Sequence, residues 1–239
     1  MTVVAGVDGC PAGWIAVLRD LADGTATVRV VARLADLIAT DDPAMIAVDM
    51  PIGLPDVVGP GGRAPERLVR PKLGMRQSSV FSVPARAAVY AEDYPAACAA
   101  ALARSDPPRR VSKQCFHLFP KMRELDGLLR ARPDLVERVR ESHPEVAFAV
   151  LAGAPVTLPK KVKSRPNPDG LDERRRFLAG RGYAWDFLAA PPPRGAGPDD
   201  LLDAAVCALV AERVLAGDAV SHPAPPERDG AGLPIAIWT

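Results

Sequence analysis

Two short apolar runs in this chain each end in an aspartate: Val3-Val4-Ala5-Gly6-Val7 leads into Asp8, and Met45-Ile46-Ala47-Val48 leads into Asp49. An ionised carboxylate at the end of a buried strand is costly unless it is paired, hydrogen-bonded or bound to a metal. A third acidic group, Asp199-Asp200-Leu201-Leu202-Asp203, opens the last strong helical pattern and puts Asp200 and Asp203 three residues apart on one helix face. Two strands side by side with that helix packed across them would bring the carboxylates together. Converging carboxylates without a local counter-charge make a hard oxygen-ligand site suited to Mg²⁺ or Mn²⁺. Asp8, Asp49, Asp200 and Asp203 are therefore the candidate metal ligands.

Such a site needs particular elements to hold it. Residues 2–8 read as a strand, 9–13 as a turn, and 14–18 as a second strand paired with the first. Asp23-Gly24 is a tight-turn signal before a third strand over 25–32. A short helix over 34–39 leads to a fourth strand over 44–49, which the crossover rule allows to lie parallel beside the first. Burial on both faces explains why 3–7 and 45–48 are nearly continuous apolar runs. Three antiparallel strands, a crossover helix and a parallel strand resemble the opening of the RNase H-like fold. A fifth strand over 135–140 ends in another acid, Glu141, and completes an expected mixed α/β sheet of five strands with flanking helices.

The whole of 1–239 reads as a single domain, in which 57–134 is a partly irregular, helical, basic insertion between strands four and five. Residues 57–84 read as irregular, 94–104 as an alanine-rich helix, and 116–131 as a helix whose Leu118, Met122, Leu125, Leu128 and Leu129 form a core stripe. The proline-rich stretch 191–198 is a loop before the acidic helix, and 235–238 a closing edge strand.

Hydrophobic residues make up 48% of the chain, enough for a core, and no run approaches a membrane span. With no basic leader before the first strand, the expectation is a soluble, unprocessed, cytoplasmic protein with no membrane partner. Cys10, Cys98, Cys115 and Cys207 are far apart in sequence, which indicates neither a zinc ribbon nor a disulfide framework. The net charge of +1 hides an asymmetry: residues 1–60 and 182–239 are acidic, whereas 61–140 and 160–181 are basic. Basic blocks beside an acidic site suggest a track for a polyanion, DNA or RNA, because lysines and arginines that neutralise phosphates supply most non-specific nucleic-acid affinity. Arg76, Arg86, Lys113, Lys160 and Lys161 are the candidate contacts. A solvated basic face would explain the same counts.

Several motifs carry a closer resemblance. Gly-Val-Asp-Gly-Cys at 6–10, Val-Asp-Met-Pro-Ile-Gly-Leu-Pro at 48–55, Ser-Ser-Val-Phe-Ser-Val-Pro-Ala-Arg at 78–86, Glu-Ser-His-Pro-Glu at 141–145 and Asp-Asp-Leu-Leu-Asp-Ala at 199–204 stand in order along nearly the whole chain. Together they resemble the family catalogued as domain of unknown function 429, whose members are described as predicted nucleases of the RNase H fold. Asp8, Asp49 and the pair Asp200 and Asp203 also match, in order and element, the acids of RuvC-like resolvases. That resemblance implies Asp8 as a bridging ligand between two Mg²⁺ or Mn²⁺ ions, with Asp49 and Asp203 holding one ion each. Glu141 or Asp200 would complete a shell or orient water, and Lys160 or Lys161 would neutralise charge on the scissile phosphate. It also implies a possible homodimer.

Plainer readings stand beside these. Asp8 before Gly9 and Asp49 before Met50-Pro51 fit turn residues, and Asp199 and Asp200 fit helix-start acids. His143 fits a structural hydrogen-bonder. Three functional classes follow: a metal-dependent nuclease, an actin-like phosphotransferase or nucleotide hydrolase, and a non-catalytic nucleic-acid-binding protein of the same fold. Against the second, no glycine-rich second phosphate loop is present.

Overall fold

The computed structural model describes residues 2–163 and 165–239. The chain begins with β1 (Val3–Cys10) and β2 (Gly13–Asp20), a hairpin turning at Pro11-Ala12, and β3 (Ala26–Val31) pairs antiparallel with β2. Helix α1 (Leu34–Asp41) crosses over to β4 (Met45–Val48), which lies parallel to β1 with Val7 opposite Val48. Next come α2 (Ala64–Val69), a 3₁₀ segment (Arg70–Ser79), α3 (Arg86–Val89), α4 (Tyr94–Ala103), α5 (Lys113–Phe116) and α6 (Phe119–Ala131). The chain returns as β5 (Val139–Glu141), parallel to β4, and continues through α7 (Pro144–Ala152) and the short paired strands β6 (Lys161–Val162) and β7 (Arg165–Pro166). Helices α8 (Pro168–Ala179), α9 (Trp185–Ala189) and α10 (Pro198–Ala216) precede β8 (Ser221–Arg228) and β9 (Pro234–Trp238).

These elements form two compact units. The first, 1–49 with 138–220 and 238–239, holds the mixed five-stranded sheet in the order β3-β2-β1-β4-β5. Helix α10 packs against β1, β2 and β4 on one side and against α7 and α8 on the other, so Leu201–Ala211 is buried without a break. A helix that is apolar all round is one covered on all sides. Its approach to β1 is set by Gly6: a Cβ there would stand 2.0 Å from the backbone of Ala204 and Ala208. Only a residue without a side chain lets helix and strand backbones come this close.

The second unit, 50–137 with 221–237, contains the expected insertion and the two-stranded sheet of β8 and β9. It is built around buried ion pairs. Arg63 donates to Glu66 at 2.7 Å with both side chains sealed from solvent, and Arg86 joins Asp126 (2.5 Å) and Asp229 (2.6 Å). Asp229 also accepts from the backbone N–H groups of Leu54, Ala231 and Leu233, which ties the β8–β9 turn to the start of the unit.

Four expectations differ from this structure. The segment 57–84 contains a helical turn and a 3₁₀ segment, because Arg67 and Arg70 bond its carbonyls of Gly62 and Val80 from within and Arg63 ties it to the carbonyl of Ile52. The helix over 116–131 divides at His117-Leu118 into α5 and α6, with Pro120 in the first turn of the second. The fifth strand is three residues long, since 133–135 is a 3₁₀ turn. The closing strand pairs with β8 in a separate two-stranded sheet, and its last residue, Trp238, forms an isolated bridge with Ser142.

Candidate metal centre

Alternation along the strands decides which acids meet. Side chains two apart on a strand share a face, and residues opposite one another on neighbouring strands point the same way. Gly6 faces α10, so Asp8 does too. Because Val7 lies opposite Val48, the next residues, Asp8 and Asp49, stand together on that same face. Asp203, one turn into α10 and 1% exposed, comes down onto them from above. One carboxylate oxygen from each of Asp8, Asp49 and Asp203 lies within 4.8 Å of the others.

Their electrostatics are those of crowded, desolvated acids. Burial, then the charges of Asp49 and Asp203, hold the Asp8 carboxyl well above the usual carboxylate range, although Lys160 opposes them. Burial likewise raises Asp49, against the lowering influence of His143 and Lys160. Asp203 is pushed up to about 7, chiefly by burial, with Asp49 and Glu145 adding to the effect and Lys160 working against it.

Lys160 is the counter-charge. Its Nζ donates to Asp203 Oδ2. Burial alone would lower this ammonium, but the carboxylates of Asp203, Asp8 and Asp49 outweigh it and hold the lysine in its charged form. With all three carboxylates ionised, one ammonium would leave two negative charges uncompensated, and Asp203 Oδ1 is buried with no hydrogen-bond partner among the described residues. Three carboxylate donors and an orphaned anionic oxygen fit a divalent cation.

The matched region of the chain takes in all of these groups. Residues 6–228 match the family model described as protein of unknown function (DUF429). The chain belongs to this family. Comparison with curated proteins and with solved structures gives no match.

In this DUF429 member the other candidate residues are placed differently. Glu141 lies opposite Val48, so alternation turns it to the face of the sheet away from Asp8 and Asp49; it is buried there and outside the acid group. The Glu-Ser-His-Pro-Glu segment instead influences the site through Glu145 and His143, whose charges act on Asp49. Strand parity was the available signal: with Glu141 beside Val48, the next position, Ser142, falls in line with Asp49. Asp200 sits outside the close trio, and its Oδ2 accepts from the Gly197 N–H at 2.8 Å, capping α10. Asp8 Oδ1 accepts from the Gly9 N–H at 2.6 Å, so the turn reading and the cluster reading hold together at this residue.

Of the basic candidates, Lys160 lies in the cluster and Lys161 pairs with Asp199 at 2.6 Å. The Arg86 guanidinium is bound between Asp126 and Asp229 in the second unit. Arg76 is part-buried in the 3₁₀ segment, and Lys113 is exposed at the start of α5.

Proposed function

We propose that this chain is a divalent-metal-dependent nuclease with an RNase H-like arrangement of its first unit. The observation that carries the reading is the convergence of Asp8, Asp49 and Asp203, from two adjacent parallel strands and the helix packed across them, within 4.8 Å. The strand order supports the fold reading: an antiparallel trio extended by two parallel strands on the side of β1.

Asp8, Asp49 and Asp203 would hold Mg²⁺ or Mn²⁺, and when bound such an ion makes a water acidic enough to lose a proton near neutral pH and offsets charge on a phosphodiester. The chain's own residues do the rest. Asp8 is fixed by its bond to Gly9 N–H, so one of its oxygens is held in place before any ligand arrives. Lys160 supplies a permanent positive charge beside Asp203 that offsets one of the three carboxylates, and this would favour one divalent ion over two. His143 and Glu145 bias the protonation of the acids from the β5–α7 junction.

The test is cleavage of labelled single-stranded and duplex DNA and RNA in millimolar Mg²⁺ or Mn²⁺. Wild type should cleave at least one of these substrates and lose activity in chelator. Asp8→Asn should bind the same oligonucleotides without cutting them. Absence of cleavage by wild type, with oligonucleotide binding retained, would favour the non-catalytic binding protein.

A further inference from the structure

The second unit has a cavity of its own, of about 230 Å³, built by three stretches that take no part in the acid cluster: 58–62, 81–85 and 101–115. Phe81, Val83 and Val111 supply apolar wall, and Arg109 and Arg110, with the hydroxyls of Ser82, Ser105 and Ser112, supply polar groups. None of the described residues that line it is acidic. Arg109 and Arg110 are exposed, and neither carries an ion pair among the described residues. Behind the wall, Arg70 donates to Ser82 Oγ at 2.8 Å, and burial together with the nearby Arg109 charge lowers its guanidinium, against the pull of Glu66. Three guanidinium groups therefore gather around one half-apolar cavity without a carboxylate on its surface. An anion is the ligand that would relieve their mutual repulsion.

Size limits what the anion can carry. A cavity of about 150 Å³ accepts benzene, so this one holds a single substituted ring, larger than inorganic phosphate alone requires. We propose that this cavity binds a small aromatic anion, with its ring among Phe81, Val83 and Val111 and its phosphate or carboxylate against Arg109 and Arg110. The Phe-Ser-Val-Pro-Ala part, 81–85, of a motif that the acid cluster leaves without a role provides one wall of the site.

Calorimetric titration of the full chain with phenyl phosphate, benzoate and inorganic phosphate tests this. At least one ring-bearing anion should bind roughly tenfold or more tightly than inorganic phosphate. The Arg109→Ser/Arg110→Ser double variant, altered only at exposed positions, should keep the wild-type melting temperature and lose roughly tenfold or more of that affinity. Ala101→Phe, which fills the cavity, should abolish binding, whereas Asp8→Asn should leave it unchanged. Whichever of phenyl phosphate and benzoate binds better identifies the anionic group. Failure of both to bind, equal binding of inorganic phosphate, or binding indifferent to the double variant would overturn the proposal and leave the metal reading untouched.

Discussion

At the scale of single residues, the acid cluster is a conflict held in place by packing. Asp8, Asp49 and Asp203 have folded-state carboxyl pKa values raised above the unfolded value of about 4. A raised carboxyl pKa means that the folded state prefers the protonated form, so this stabilisation is present below about pH 4 and is lost as pH rises through the folded value, about 7 for Asp203. The metal-free protein should therefore lose melting temperature across that window from these groups, and Asp203→Asn should flatten the loss. Millimolar Mn²⁺ should raise the wild-type melting temperature, by about 2.7 kcal/mol of stability at a hundredfold excess over the dissociation constant, and should not stabilise Asp8→Asn to the same degree. Thermal melts from pH 4 to 8, with and without Mn²⁺, measure both effects. Equal metal stabilisation of the two proteins would remove Asp8 from the ligand set.

Lys160 makes the opposite case. Lys160→Met takes out of the cluster the ammonium that pairs with Asp203 and leaves that acid without this ion-pair partner. The metal-free variant should be less stable by about 1–3 kcal/mol and should bind Mn²⁺ more tightly than wild type. Manganese titration followed by electron paramagnetic resonance reads the affinity directly. Weaker Mn²⁺ binding in the variant would mean that the lysine helps to hold the ion rather than competing for its place.

Among the elements, α10 and β1 determine whether the site exists. Gly6→Ala would drive a methyl group into the backbone of Ala204 and Ala208, and neither neighbour can rotate away as a side chain could. The expected cost is about 3 kcal/mol, measured by urea unfolding, together with weaker Mn²⁺ stabilisation as Asp203 is lifted from Asp8. Sequence patterning reveals these elements well because β1, β2 and β4 are apolar runs with turn residues between them and α10 begins at a proline after a loop. It reveals less where tertiary contacts make the decision. Strand β5 has only three residues, too few for a pattern, and its register alone determines that Glu141 faces away. Helix α7 reads Pro-Glu-Val-Ala-Phe-Ala-Val-Leu-Ala, nearly apolar throughout, so no amphipathic period marks it. The arginine-rich stretch 63–70 looks like a loop in composition and becomes ordered because its guanidinium groups bond to carbonyls and to Glu66.

Over the whole molecule, the charge count overstates the basic surface. Arg174, inside the second basic block, is fully buried against Glu145, and Arg123, inside the first, donates to the carbonyls of Val89 and Ala91. Arg86 and Arg63 are similarly committed to buried carboxylates. The salt dependence of oligonucleotide binding should therefore be shallower than the number of lysines and arginines suggests, because each released counterion needs an available cation. Lys113→Ala should reduce the slope of log affinity against log salt by roughly one if that lysine contacts phosphate. Arg86→Ala should act through stability instead, costing about 3–5 kcal/mol by leaving Asp126 and Asp229 without their shared partner. No described helix is long and apolar enough to cross a membrane.

The placement of Asp203 on α10 also has a meaning in time. Asp8 and Asp49 are translated before the second unit, and Asp203 follows them by roughly 150 residues. At about 5–20 residues per second, a ribosome needs on the order of ten to thirty seconds to make that stretch. Throughout that interval the nascent chain has two of the three carboxylates, and the groove over Gly6 waits for the helix that will fill it. A chain emerging beside its own messenger RNA thus lacks the third carboxylate of the cluster until its last long helix has been made.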